Sequence, residues 1–327
     1  MKKLLKILAI LVVVLIVGAV GLLTYITNFK PNIPVEEVKI EYTPERIERG
    51  RYLAHNVAQC VDCHSARDWS RFSGPIVSGT EGKGGEAFDQ KIGFPGKYYA
   101  PNLTPYHLKD WSDGELFRAI TSGVSKDGRA LFPVMPYLSF GKMDREDIYS
   151  IIAYIRSLPN IENETPKSES DFPMNIVIHM IPAKPEFTQK PAPADKLKYG
   201  EYLANAASCA ECHTPAKRGE IIKEMEYSGG RFFSLPDGNE VISANITPDK
   251  QTGIGNWDEE TFVQRFKAFD KTSNNLNDAV KPGEFNTIMP WSKYSQMTNE
   301  DLAAIYAYLR TLKPISNKVE KALIKNK

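Results

Sequence analysis

The apolar positions of this chain fall into two patterns. From Ile7 to Ile26 they form an uncharged run of 20 residues, ILAILVVVLIVGAVGLLTYI. At 1.5 Å rise per residue, such a helix crosses a hydrocarbon core of about 30 Å. Further along they recur at helical spacing: Ile148, Ile151, Ile152, Ile155 and Leu158 make one stripe, and Leu302, Ile305, Tyr306, Leu309 and Leu312 make another. Asp144 and Thr298 precede these stripes as N-caps, and Thr43 followed by Pro44 predicts the start of an earlier helix. Between the stripes, residues 159–194 hold seven of the 22 prolines, so no long helix runs through them. The expected fold class is all-α. A membrane helix over residues 1–30 is followed by two helical domains, 44–158 and 195–314, joined by the Pro-rich linker 159–194. Within that linker the apolar piece from Ile176 to Ile181 is expected to pack onto a domain, and a Lys-rich tail, 315–327, is expected to be disordered.

Charge sets the direction of the membrane segment. Lys2, Lys3 and Lys6 precede it, which keeps the N-terminus in the cytoplasm and places the chain beyond Lys30 on the outer side. Ala19 and Gly21 leave a cleaved signal peptide as the alternative, although Leu22, Leu23, Tyr25 and Ile26 prolong the apolar run past them. Either reading exports the rest of the chain. With 41 basic against 40 acidic residues and a net charge of +1, the electrostatic footprint of a nucleic-acid binder is missing. Outside the first 30 residues the hydrophobic share is about 39%, below the usual 45–50% of globular domains, so something besides side chains is expected to fill the core.

All four cysteines lie in two identical spacings, Cys60-Val61-Asp62-Cys63-His64 and Cys209-Ala210-Glu211-Cys212-His213. C-x-x-C-H is the attachment signature of c-type haem: two thiols add to the porphyrin vinyl groups, and the next imidazole reaches the iron. A thioredoxin-type redox pair or two halves of a zinc site also use C-x-x-C, but neither needs the adjoining His twice.

The two motifs sit within an internal duplication. Gly50-Arg51-Tyr52-Leu53-Ala54 is answered by Gly200-Glu201-Tyr202-Leu203-Ala204, and Pro101-Asn102-Leu103-Thr104-Pro105 by Ala244-Asn245-Ile246-Thr247-Pro248. Trp111 is answered by Trp257, and Met135-Pro136-Tyr137 by Met289-Pro290-Trp291. Nineteen positions after each of those methionines come Tyr154-Ile155-Arg156 and Tyr308-Leu309-Arg310.

The repeat narrows the search for a second axial ligand to the iron. Met143 and Met297 directly precede the helix caps, where an apolar residue packs back as a staple. Met135 and Met289 lie in a loop, held extended by the following proline, and are the expected ligands. A thioether opposite His raises the reduction potential relative to a more basic donor. His55, His107 and His179 do not recur between the halves and are read as surface or packing residues.

With these motifs assembled, the halves resemble tandem class I c-type cytochrome domains over nearly all of residues 44–314. The resemblance implies a close crossing of the opening and closing helices, at Gly50 with Tyr154 and at Gly200 with Tyr308. It also implies that Asn102 and Asn245 line the haem pocket, where a turn-forming role is the alternative. Trp111 and Trp257 are placed either at a haem edge or in ordinary core. Asn245-Ile246-Thr247-Pro248-Asp249 followed by Thr252-Gly253-Ile254-Gly255-Asn256-Trp257 is similar to the cytochrome c subunits of membrane-bound alcohol, aldehyde and gluconate dehydrogenases. Those subunits usually carry three haems, and this chain has motifs for two.

The expected function is that of a membrane-anchored dihaem electron carrier, not an enzyme. It would take electrons from a dehydrogenase or quinol-oxidising partner and pass them to an oxidase or soluble cytochrome. Its cofactors would be two covalent haem c, with His64, Met135, His213 and Met289 on the irons. The alternative, a dihaem peroxidase with one open haem, requires the halves to differ at the sixth ligand, whereas both keep the Met-Pro loop.

Overall fold

The computed structural model describes residues 2–27, 29, 31–217, 219–236, 238–270, 279–281, 284–320 and 322–323. Lys30 and most of the last seven residues therefore lie outside the described residues. The helices, in chain order, are α1 (Lys2–Thr27), α2 (Pro44–Tyr52), α3 (Cys60–Cys63), α4 (Pro105–Leu108), α5 (Asp113–Ser122), α6 (Tyr137–Phe140), α7 (Arg145–Ser157), α8 (Met174–Val177), α9 (Lys196–Ala206), α10 (Cys209–His213), α11 (Glu259–Lys267), α12 (Trp291–Tyr294) and α13 (Asn299–Leu309). α1 is long and apolar enough to cross a membrane, and none of its apolar span is buried in the protein.

Two helix crossings organise the core: α2 packs on α7, and α9 on α13. Both depend on a missing side chain. A Cβ at Gly50 would stand 1.8 Å from the Ser150 carbonyl oxygen and 2.9 Å from Tyr154 Cβ. One at Gly200 would stand 1.9 Å from the Ala304 carbonyl oxygen and 3.1 Å from Tyr308 Cβ. The crossings are thus those expected from the sequence. Their helices begin as expected too, with Thr43, Asp144 and Thr298 each accepting a hydrogen bond from a first-turn N–H. Ile148, Ile151, Ile152, Leu302 and Leu309 are almost completely buried, as are Met143 and Met297 before the caps.

The halves differ by one residue between the crossing glycine and the first cysteine, from Gly50 to Cys60 against Gly200 to Cys209. The extra residue is absorbed in place. α2 continues into one π-helical turn, Leu53–Val57, which takes one more residue per turn than an α-helix.

The contacts between the two helix pairs are reciprocal. Tyr52 in α2 donates to Asp301 Oδ2 in α13 at 2.6 Å, and Tyr202 in α9 donates to Asp147 Oδ2 in α7 at 2.7 Å. Each tyrosine oxygen also accepts the backbone N–H of a helix cap across the same boundary, Thr298 or Asp144.

The all-α expectation needs correction, because short strands are present. β1 (Ala87–Phe88), β2 (Gly96–Tyr99) and β3 (Glu169–Ser170) form one antiparallel sheet; β4 (Ala216–Lys217) pairs with β5 (Glu220–Ile221); β6 (Phe232–Ser234), β7 (Glu240–Ile242) and β8 (Ala322–Leu323) form a third group. These strands give backbone partners to the long segments after each C-x-x-C-H motif, where the described residues otherwise form only a single 3₁₀ turn in each, Gln90–Ile92 and Lys223–Met225.

The expected disordered tail is corrected at its start, while residues 321 and 324–327 lie outside the described residues. The Ile315 carbonyl accepts from Asn245 and Thr247, and Asn317 donates to the Ser228 carbonyl, so residues 315–317 strap the loop beneath them. The start of the 159–194 linker does the same in the first half. Ile161 accepts from Asn102 and Thr104, and Asn163 donates to the Lys83 carbonyl. The segment from Ile176 to Ile181 does pack onto the protein, with Ile178 buried against Tyr98 and Ala130.

Candidate functional site

Each C-x-x-C-H motif opens with a residue in the left-handed region, Gln59 at φ 54° and Ser208 at φ 53°, which turns the chain sharply into the short helix bearing the cysteines. No disulfide joins any of the four cysteines. Desolvation pushes Cys60, Cys63 and Cys209 up to about 12 and Cys212 to about 11. Among the described residues no group of three His, Cys, Asp or Glu side chains stands close enough to hold a metal ion, so the two motifs do not combine into one zinc site.

The histidines are oriented by the backbone. His64 Nδ1 lies 2.7 Å from the Pro101 carbonyl oxygen, and His213 Nδ1 lies 2.7 Å from that of Ala244. With the proton on Nδ1 donated to a carbonyl, Nε2 keeps its lone pair for a ligand. Burial lowers both imidazole pKa values and favours this neutral form, outweighing the carbonyl bonds, which act the other way.

Glycines pack closely against the backbone that carries those two carbonyls. Gly84 N–H donates to the His64 carbonyl at 2.8 Å, and Gly229 N–H to the His213 carbonyl at 2.7 Å. Both glycines have positive φ, 75° and 73°, and a Cβ at either would fall within 2.6 Å of the backbone around residues 101–102 or 244–245. Sequence reasoning missed this pair. The recurring dipeptides Gly84-Gly85 and Gly229-Gly230 were the available signal.

Asn102 and Asn245 follow those carbonyls directly. Both are buried, and their amides are occupied locally. Each Oδ1 accepts the N–H and hydroxyl of the threonine two residues on, and each Nδ2 donates to the strap that follows the closing helix. Their visible work is to fix the loop that orients the histidine.

Met135 and Met289 are half-buried against the core, each before a proline that leads into a short helix. Each loop is tied to the opposite half. Ser73 Oγ donates to the Met289 carbonyl at 2.5 Å, and Ser73 N–H donates to Asn286 Oδ1 at 2.9 Å. Beyond Met135, Asn205 donates to the Ser139 carbonyl at 2.9 Å, and Ser139 Oγ donates to Glu211 at 2.7 Å. His55 is engaged with the Tyr154 hydroxyl at 2.6 Å, His107 is exposed and His179 is half-buried. Trp111 and Trp257 pack half-buried at the edge of the core.

Paired thiols beside an imidazole with a free Nε2, repeated in two halves with a thioether loop in each, form a donor set that fits covalent haem. Residues 197–313 match the cytochrome c family. The match takes in the second C-x-x-C-H motif and the closing helix that follows it. A cytochrome c domain carries covalently bound haem c. The chain is 26% identical over 285 residues to the cytochrome c subunit of a quinone alcohol dehydrogenase from Gluconacetobacter polyoxogenes, covering 82% of this chain and 56% of that one. It is 25% identical to the gluconate 2-dehydrogenase cytochrome c subunit of Pantoea cypripedii, over 81% and 59% of the two chains. With a diheme c-type cytochrome of Cereibacter sphaeroides it shares 27% identity over 78% and 82%. The chain thus spans about half the length of the dehydrogenase subunits it matches. None of these relatives is a peroxidase.

Proposed function

We propose that the chain is a dihaem c-type cytochrome with two cytochrome c domains, 44–158 and 195–314, anchored by α1 and accepting electrons from a dehydrogenase. The observation that carries this reading is the repeated orientation of an imidazole by a backbone carbonyl beside a C-x-x-C pair, 2.7 Å in both halves. Dehydrogenase subunits among the relatives support the upstream partner.

Cys60 and Cys63 hold one haem and Cys209 and Cys212 the other, through thioether bonds. Bound haem supplies a one-electron ferric/ferrous couple. The protein's part is geometric and electrostatic. Pro101 and Ala244 carbonyls fix the rings of His64 and His213 and leave Nε2 available to hold the iron, and Met135 and Met289 would supply thioether sulfur as the further ligands. A weakly basic sulfur favours the reduced state. No residue makes or breaks bonds in a substrate. Outward of the anchor, the donor is a membrane dehydrogenase and the acceptor an oxidase or soluble cytochrome.

The test is a spectroelectrochemical titration of the full chain with its haem content counted. Two haems per chain, each cycling reversibly with one electron, are expected. A single haem, or an irreversible couple, contradicts the proposal.

A further inference from the structure

The segment after β3 presents an apolar face that the electron-carrier reading does not use. Ile178 is buried in the Tyr98 and Ala130 cluster, with Met174 packed against it, and this fixes one side of α8 and the turn after it to the protein. The other side is open: Phe172 is 78% exposed, Met180 67% and Val177 37%. Three large apolar side chains on one short anchored segment are costly in water.

Their position in the fold identifies what covers them. α8 packs against α1, the helix whose apolar span is long enough to cross a bilayer. The chain leaves α1 at Thr27, and by Ile33 it is already held to the folded body, where Arg118 donates to the Ile33 carbonyl at 3.1 Å. The body therefore sits at the C-terminal end of α1. Tyr25 and Phe29 pair at that end, with ring centroids 6.2 Å apart, as aromatic residues do at a bilayer surface. A segment touching α1 there lies at the level of the lipid headgroups.

We infer that Phe172, Val177 and Met180 insert into the surface of the bilayer beside α1, a second attachment that fixes how the folded body faces the membrane. This rests on α1 being a membrane span. The occupant is lipid acyl chain rather than anionic headgroup. Among the described residues, exposed Lys97, Lys167 and Lys184 near the segment are interleaved with exposed Glu169 and Asp171, so it carries no strong basic patch. Two attachments restrain the tumbling that a single flexible tether would leave.

The full chain is reconstituted in phosphatidylcholine vesicles containing a phosphatidylcholine with a photoreactive diazirine in its acyl chain. After irradiation the adducts are mapped by peptide mass spectrometry. Adducts are expected on α1 and also on residues 172–181. In the Phe172→Ser, Met180→Ser double variant the second set is lost while the α1 set stays. The Phe172→Leu, Met180→Leu variant keeps both sets, which separates lost apolarity from lost folding. Adducts on α1 with none on 172–181 in the native chain overturn the inference and leave the span intact, as would be found if this face instead docked a protein. Absence of α1 adducts overturns the span itself.

Discussion

The buried carboxylate of Asp147 shows how much a single residue coordinates here. Burial raises its pKa, but Arg49 makes a bidentate pair with it, Lys190 lies 3.3 Å away and the Tyr202 hydroxyl donates to it. Together they hold its pKa below the ordinary 3.8. A carboxyl depressed in the folded state adds stability that is fully present above the ordinary carboxylate value and is lost as pH falls through the folded value. The protein is therefore expected to keep this contribution at neutral and mildly acidic pH and to lose it below about pH 3.8. Tyr202→Phe removes one donor from Asp147 without changing the ring. It is expected to cost about 1–3 kcal/mol in denaturant unfolding of the haem-loaded protein, and to move the onset of acid loss to higher pH. An unchanged onset would show that the tyrosine does not hold the carboxylate.

At the scale of elements, the two close crossings are the features most sensitive to volume. Gly50→Ala and Gly200→Ala each drive a methyl into a carbonyl oxygen on the facing helix, and each is expected to cost about 3 kcal/mol by denaturant unfolding. Gly18→Ala in α1, where a Cβ meets nothing within 4 Å, is expected to have no effect on the same transition. These crossings were legible in the sequence because a glycine inside a helical pattern recurred opposite an aromatic in both halves. So were the caps, which act within one turn, and the buried methionines ahead of them. The strands were not legible, being two to four residues long and too short for alternation to register. One signal was there: Leu235-Pro236-Asp237-Gly238-Asn239 between Phe232–Ser234 and Glu240–Ile242 has turn chemistry flanked by strand formers. The straps at Ile161 and Ile315 left no trace, because their contribution is a backbone carbonyl, which every residue type supplies. The π turn was visible only as a one-residue offset between the halves.

At the scale of the whole molecule, the halves are held by exchanged contacts rather than by the linker alone. Tyr52 reaches Asp301 while Tyr202 reaches Asp147, and each methionine loop is tied to the other half through Ser73 or Ser139. On the proposed dihaem reading, this repeat gives neither half a reason to leave its iron open. Both haems are proposed to be closed by His and Met. This is tested most directly by visible spectra of the purified full chain, oxidised, reduced, and reduced under carbon monoxide. A weak far-red band from Met-to-iron ligation is expected in the oxidised protein, with no change when carbon monoxide is added to the reduced form. A carbon monoxide shift in about half of the haem would contradict the proposal, since one iron would then bind an outside ligand.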